Sequence, residues 1–322
     1  MTILRRRWLQ LGATAMASAA VSARAQAYPE RPIRLVVPLP AGGAADIVAR
    51  LIGRRLERLG QPVIVDNKPG AGTNVGVQAV VNAAPDGYTL LVASTASAIN
   101  ATLYEKLPFT FLQDIAPVAG LVRFPLVMVV SRSVQATTVA EFVAYAKANP
   151  GRINMGSAGV GTAPHLAGEM FKAMTGIEMA HVPYRGEPPA LADMIAGRVE
   201  VMFSAVAASI AHLRSGALRA LAVTTAERIA VLPDVAPVAD TVPGYEASGW
   251  FGVGAPKGVP AGIVGTLSRE VAVGLADPET SARIAELGCT PLTLGPAAFG
   301  AFLSAETTKW AEVVKASGAR PE

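Results

Sequence analysis

The chain is poor in the groups that most often carry redox, metal and nucleophilic chemistry: one cysteine, three histidines and 6% aromatic residues. With Cys289 alone, no intrachain disulfide can form in any compartment, so the fold relies on its apolar core. In Leu287-Gly288-Cys289-Thr290 that cysteine reads as a small buried residue rather than a reactive thiol. After residue 27 no run approaches the roughly 18 consecutive apolar residues of a transmembrane helix. The G-x-S-x-G elbow of the α/β-hydrolases is missing, and so is any Gly-Lys-Ser/Thr, which removes the lysine that neutralises a triphosphate in a P-loop.

What is abundant is apolar: 51% of the 322 residues are hydrophobic and only 16% charged, which excludes a disordered chain and predicts about two domains. The net charge is +4, but four of the 28 basic residues (Arg5, Arg6, Arg7 and Arg24) lie in residues 1–27, which contain no acid. The remaining 24 basic residues match the 24 acidic ones, so the basic balance gives no support for a nucleic-acid partner. Residues 1–27 have the layout of a cleaved export signal: a basic start, a mildly apolar Trp8 to Val21, and overlapping small-x-small sites within Ala23 to Ala27. Arg5-Arg6-Arg7-Trp8-Leu9-Gln10 resembles a twin-arginine signal, with the Sec route equally open. The expected mature protein begins near Gln26 or Tyr28 and lies outside the cytoplasm.

From there strand and helix patterns alternate. Ile33–Val37, Val63–Val65 and Tyr88–Ala93 read as strands, with helical spacing from Ile47 to Leu59 and from Asn74 to Asn82. Pro108 to Pro125 reads as irregular and Leu126–Val130 as a strand. The alternation then restarts, with helices at 139–148, 164–175, 188–196 and 208–215 and strands at 153–155, 179–184, 199–203 and 218–224. A long loop (230–244), a strand at 250–256 and three helices near 261–275, 280–287 and 297–316 close the chain. Strands alternating with helices predict α/β lobes, each with a mixed, mostly parallel sheet covered on both faces, and ligands of such sheets gather at the carboxyl ends of the strands.

The glycine-rich loops miss nucleotide spacing, both at Gly70-Ala71-Gly72-Thr73-Asn74-Val75-Gly76 and at Gly156-Ser157-Ala158-Gly159-Val160-Gly161. They suit a carboxylate, because a helix N-terminus offers unpaired N–H groups and glycine allows close approach. Leu39 to Asp46, including Ala41, Gly42 and Gly43, and Ser94 with Thr95 offer such donors in the first half. Ser157 to His165, including Ala158, Gly159, Gly161 and Thr162, offer them in the second. Asp46 either caps its own helix or holds the loop amides in place. Tyr184 and Arg185 could add a phenol and a cation. His165 and Glu169, four apart on one helix, form half of a metal site or the core of an exported enzyme, with no third ligand evident. No metal or cofactor is expected.

The segments Tyr28-Pro29-Glu30-Arg31-Pro32-Ile33, Gly42-Gly43-Ala44-Ala45-Asp46, Asp66-Asn67-Lys68-Pro69-Gly70-Ala71-Gly72, Ala84-Pro85-Asp86-Gly87-Tyr88, His181-Val182-Pro183-Tyr184-Arg185-Gly186 and Leu218-Arg219-Ala220-Leu221-Ala222-Val223-Thr224 occur in this order. In them the chain resembles the substrate-binding receptors of tripartite tricarboxylate transporters, the Bug family. The resemblance implies a type II periplasmic binding protein, with lobe 1 at 28–126 plus 246–322, lobe 2 at 127–245, and a ligand cleft between them. It further implies a monomer that carries a mono-, di- or tricarboxylate to a membrane permease; a sensor kinase as the partner stays open. The carboxylate loop carries over to Leu39–Asp46, the second-lobe motif to Ser157, Gly159, Gly161, Thr162 and His165, and the third contributor to Tyr184-Arg185-Gly186. Two positions depart from the pattern. Leu39 replaces a common aromatic. Ser204 stands where relatives often carry an aspartate, so it offers no charge to a ligand ammonium and points toward a non-amino carboxylate.

Overall fold

The computed structural model describes residues 28–321, so the proposed export signal lies outside the described residues. The chain runs β1 (Ile33–Val37), α1 (Ala44–Leu56), β2 (Val63–Asn67), α2 (Asn74–Val81), β3 (Thr89–Ser94), α3 (Thr95–Leu103), the single turn α4 (Phe111–Asp114) and the long β4 (Ile115–Val130). It continues with α5 (Val139–Ala148), β5 (Asn154–Ser157), α6 (Ala163–Thr175), β6 (Ala180–Pro183), α7 (Glu187–Ile195), β7 (Val201–Ala205), α8 (Val206–Arg214) and β8 (Arg219–Val223). The last part holds β9 (Ser248–Pro256), α9 (Ala261–Ala276), α10 (Pro278–Glu286), β10 (Thr290–Pro291) and α11 (Pro296–Ser317).

Two mixed sheets share β4. In one, β2, β1 and β3 are parallel, β9 runs antiparallel beside β3, and the first part of β4 pairs with β9. In the other, the end of β4 pairs antiparallel with β7 and β8, and β7, β5 and β6 are parallel. The central strands are apolar along their whole length because helices cover both faces: Leu35, Val36, Val37, Leu90, Leu91 and Val92 are fully buried. Helix α1 shows the same logic on one face only, burying Val48, Ile52 and Leu56 while Arg50 and Arg54 face solvent.

The stretch expected to be irregular is the first part of β4. Its prolines sit where a strand tolerates them: Pro117 lies beside a break in register against β9, a second break falls between Gly120 and Val122, and Pro125 is the last residue paired with β9. The helix α3 was also not expected; it begins directly at the end of β3, where Ser97 Oγ accepts from Ser94 N at 3.4 Å. The brief β10, pairing with β4 at Arg123 and Val122, has no sequence signal of its own.

At the crossing between the sheets, buried Thr224 ties three strands of chain together. Its Oγ1 accepts from Leu126 N at 3.1 Å and lies 2.5 Å from Ala247 O, while the Thr224 backbone N–H donates to Leu126 O and Ala247 N–H donates to Thr224 O. The last helix is fastened by buried Glu306, whose Oε2 accepts from both Trp250 Nε1 (2.8 Å) and Trp310 Nε1 (3.0 Å). Replacing Thr224 with isosteric Val strands the Leu126 amide in a dry site, and we expect a loss of about 1–3 kcal/mol in urea unfolding. An unchanged midpoint would remove this clasp from the stability of the crossing.

Candidate functional site

The carboxyl ends of β1, β3, β5 and β6 open into a cleft between the two sheets, and the N-termini of four helices reach it. Ala44 and Ala45 open α1, Thr95 and Ala96 open α3, Ala163 and Pro164 open α6, and Glu187 and Pro188 open α7; all line an inner cleft that is open to solvent. The first backbone bond of α1 comes from Ile47 N to Gly43 O, which leaves the amides ahead of it without helical partners. Each helix start carries about half a positive charge. The inner cleft therefore attracts an anion although no lysine or arginine lines it. A roomier outer part of about 570 Å³ shares Leu39, Pro40, Ala158, Thr162 and Gly186 with it and adds Gly159, Tyr184 and Arg185.

The residues singled out from sequence separate into those that face the cleft and those that shape it. Leu39, Gly43, Ser94, Thr95, Ala158 and Thr162 line the inner part, and Gly159, Tyr184 and Arg185 the outer part. Ser94 lines the inner cleft at the start of α3, while its Oγ is itself buried and forms a capping box with Ser97. Thr95 Oγ1 accepts from Trp250 N at 2.8 Å, leaving its own hydrogen available. Thr162 donates back to Gly159 O at 2.7 Å, and the Tyr184 phenol donates to Asp193 Oδ2 at 2.8 Å; burial, with this bond, pushes the phenol up to about 12.

Ala41, Gly42, Asp46, Ser157, Gly161, His165 and Ser204 do not line either part of the cleft. Asp46 accepts from Gly42 N at 3.0 Å and pairs with Arg50, closing the β1–α1 loop upon itself. Burial raises its carboxyl, but the bonds from Arg50 and the Gly42 amide outweigh this and hold it below the usual range. Ser157 Oγ accepts from Gly159 N at 3.1 Å and bonds His181 Nε2 at 2.7 Å. His165 Nδ1 accepts from Gly161 N at 3.2 Å, and its ring stacks on His181 with centroids 3.9 Å apart. Burial, with the neighbouring imidazole, pushes His165 down to about 3, and burial pushes His181 down to about 4. These two neutral rings brace the glycine loop from behind. Glu169 bonds Lys172 through both oxygens, and no group of three or more metal-ligating side chains occurs among the described residues.

Three residues that matter here escaped the sequence reading. Phe124 on β4 and Phe251 on β9 stack at 4.5 Å and form an aromatic wall of the inner cleft, supplying what Leu39 does not. Phe124 fell in the stretch read as irregular, and only the pairing of β4 with β9 brings the rings together. Glu187 is buried in the cleft wall, where its Oε2 accepts from Ser204 Oγ at 2.5 Å and from Ala205 N at 3.0 Å. Ser204 thus lies behind a carboxyl group, to which its hydroxyl donates.

Three glycines let the facing rims meet. A Cβ on Gly72 would lie 2.4 Å from Val160 O, one on Gly161 2.0 Å from Asn100 Oδ1, and one on Gly186 2.7 Å from Pro40 Cγ. The bracing histidines carry a pH signature of their own. Both lie below their unfolded value of about 6.5, so the unfolded chain takes up protons first, and their contribution, complete above that value, is lost as pH falls toward 4. His165→Asn, which keeps an acceptor for Gly161 N, should shrink the wild-type loss of melting temperature between pH 7 and 5; an identical slope would refute the bracing role.

The chain matches the tripartite tricarboxylate transporter family receptor over residues 48–319. It is 36% identical over 312 residues to the protein BugT of Bordetella pertussis, covering 96% of this chain and 95% of that one. Among solved structures, Rpa4515 of R. palustris with adipate superposes with a TM-score of 0.89 at 36% identity, covering 92% of this chain and 100% of the other. MatC from Rhodopseudomonas palustris with bound malate gives 0.85 at 30% identity, covering 89% and 100%. The two-lobed fold, the cleft and these likenesses agree, and the chain belongs to the tripartite tricarboxylate transporter receptor family, a family of solute-binding receptors.

Proposed function

We propose that the protein is a periplasmic receptor that captures a small carboxylate in the inner cleft and delivers it to a membrane permease of the tripartite tricarboxylate type. The observation that carries this reading is the convergence of four helix N-termini on a cleft without a basic side chain. The carboxylate group takes the orphan amides of α1 and the hydroxyl of Thr95, and the carbon skeleton lies against Phe124 and Phe251. The adipate and malate of the two related structures are ligands of this chemical kind.

Capture works by hinge closure of a lobe made of residues 28–126 plus 246–322 over a lobe made of 127–245, with Leu126, Thr224 and Ala247 at the turning point. The glycine contacts across the rims are the closed state, and the closed surface is what a permease recognises. The receptor acts as a monomer and performs no chemistry on its ligand. His165 and Glu169, the pair that an enzyme would use, lie behind the loop and serve it structurally.

A thermal-shift screen of the mature, ligand-stripped protein against mono-, di- and tricarboxylates tests the reading. A ligand at 100 times its Kd stabilises the folded state by about 2.7 kcal/mol, and silence across the whole series would sink the proposal. Gly43→Val provides the site control. Gly43 has φ −81° and a Cβ there would meet only Pro40 O at 3.6 Å, so the fold accommodates the side chain while the cleft loses its approach to the α1 amides. Retained melting temperature with at least tenfold weaker binding is expected; unaltered affinity would take the β1–α1 loop out of the site.

A further inference from the structure

Glu187 is the acidic side chain of the inner cleft, and it is buried with an asymmetric set of partners. Ser204 Oγ and Ala205 N both donate to Oε2, while no hydrogen bond from the described residues reaches Oε1. That is the pattern of a neutral acid, with a carbonyl-type oxygen saturated by two donors and a hydroxyl oxygen turned toward the cleft. A carboxylate would leave half of its charge on an oxygen without a donor, in a cleft lined by no lysine or arginine.

The surroundings do not supply a compensating cation. On α1, Asp46 is paired with Arg50; on α6, His165 is neutral; ahead of α7, Tyr184 is bonded to Asp193 and Arg185 lines the outer cleft. At the far end of α7, Asp193 also pairs with Arg198, and on α8 His212 and Arg214 lie in the last turn, at the other end from Glu187; β7 contributes only the uncharged Ser204 and Ala205. Burial raises the Glu187 carboxyl to about 7, against the opposing bonds from Ser204 and Ala205, and no neighbouring charge contributes.

We propose that Glu187 is the specificity residue of the cleft: in its neutral form it donates the Oε1 hydrogen to the second carboxylate of a dicarboxylate ligand, so that binding retains one proton shared between the two carboxyl groups. The inference rests on the carboxylate-receptor reading above. Physically, one carboxylate is satisfied by the helix N-termini, and the second meets an acid rather than a cation. Two carboxyl groups at hydrogen-bonding distance cannot both be ionised at low cost, so a dianion is accepted only with a proton between them. A monocarboxylate of the same length would leave that donor unused, which is the source of discrimination.

Isothermal titration calorimetry with adipate and hexanoate, from pH 5.5 to 9, tests this in the wild type and in Glu187→Gln and Glu187→Ala. The wild type should prefer adipate at pH 6, lose about tenfold in affinity for each pH unit above roughly 7.5, and take up close to one proton there, read from two buffers of different ionisation enthalpy. Glu187→Gln keeps a neutral donor toward the ligand and an acceptor toward Ser204 and Ala205; it should retain the preference for adipate but bind it independently of pH. Glu187→Ala should lose the preference by tenfold or more. Adipate binding that is flat with pH in the wild type, or identical in all three proteins, would overturn the role of Glu187 while leaving the carboxylate reading intact. Binding that strengthens with pH and is confined to amino acids would mean that Glu187 works as an anion toward an ammonium, and would overturn it equally. Absence of any carboxylate binding in all three proteins at every pH would instead defeat the underlying receptor reading.

Discussion

The whole arrangement depends on one strand that belongs to two sheets. β4 runs for 16 residues, pairs with β9 in its first part and with β7 and β8 in its last, and at the changeover is clasped by the buried hydroxyl and backbone of Thr224. A parallel α/β sheet directs its helix N-termini to the carboxyl edge of its strands. Because β4 joins two such sheets with these edges turned toward each other, helix starts from both halves end at one cleft.

The proposed capture of a carboxylate then needs no formal charge. Orphan amides, helix dipoles and hydroxyls are fixed in place by groups set one layer back: Asp46 with Arg50 behind the first loop, Ser157, His181 and His165 behind the second. Buried and neutral, the stacked imidazoles shape the loop without competing for the ligand. The balance of charge outside residues 1–27 is consistent with this, since selectivity for an anion resides in local donors rather than in the field of the whole molecule. Small residues complete the design, because a Cβ at Gly161 or Gly186 would occupy the space where the facing rim lies.

How much of this was legible beforehand depended on the range of the interaction. The βα units were readable because burial on one helix face or on both faces of a strand imposes a local period, as in α1 and β3. The first part of β4 was not, because its prolines argue locally against a strand and are tolerated only where β9 allows a break in register. The donor loops were legible from their glycines and hydroxyls, yet sequence could not tell Ser94, which faces the cleft, from Ser157, whose hydroxyl is consumed by Gly159 N and His181. Glu187 carries no local signal, because an acid before two prolines at a helix start ordinarily faces solvent, and the hydroxyl of Ser204 does not reveal the partner that sits 2.5 Å away.

By itself the sequence determined the class of the molecule: α/β halves, a charge balanced outside residues 1–27, and glycine-rich helix starts suited to an anion. These are properties of composition and of neighbours within a few residues, which a linear reading captures. Tertiary structure alone decided which donors face one another, that Phe124 and Phe251 share a wall, and that a carboxyl group from α7 stands in front of Ser204 on β7. Those relations join residues 17 to 127 positions apart, and burial in a common cleft, rather than any local preference, gives each of them its charge state and its role.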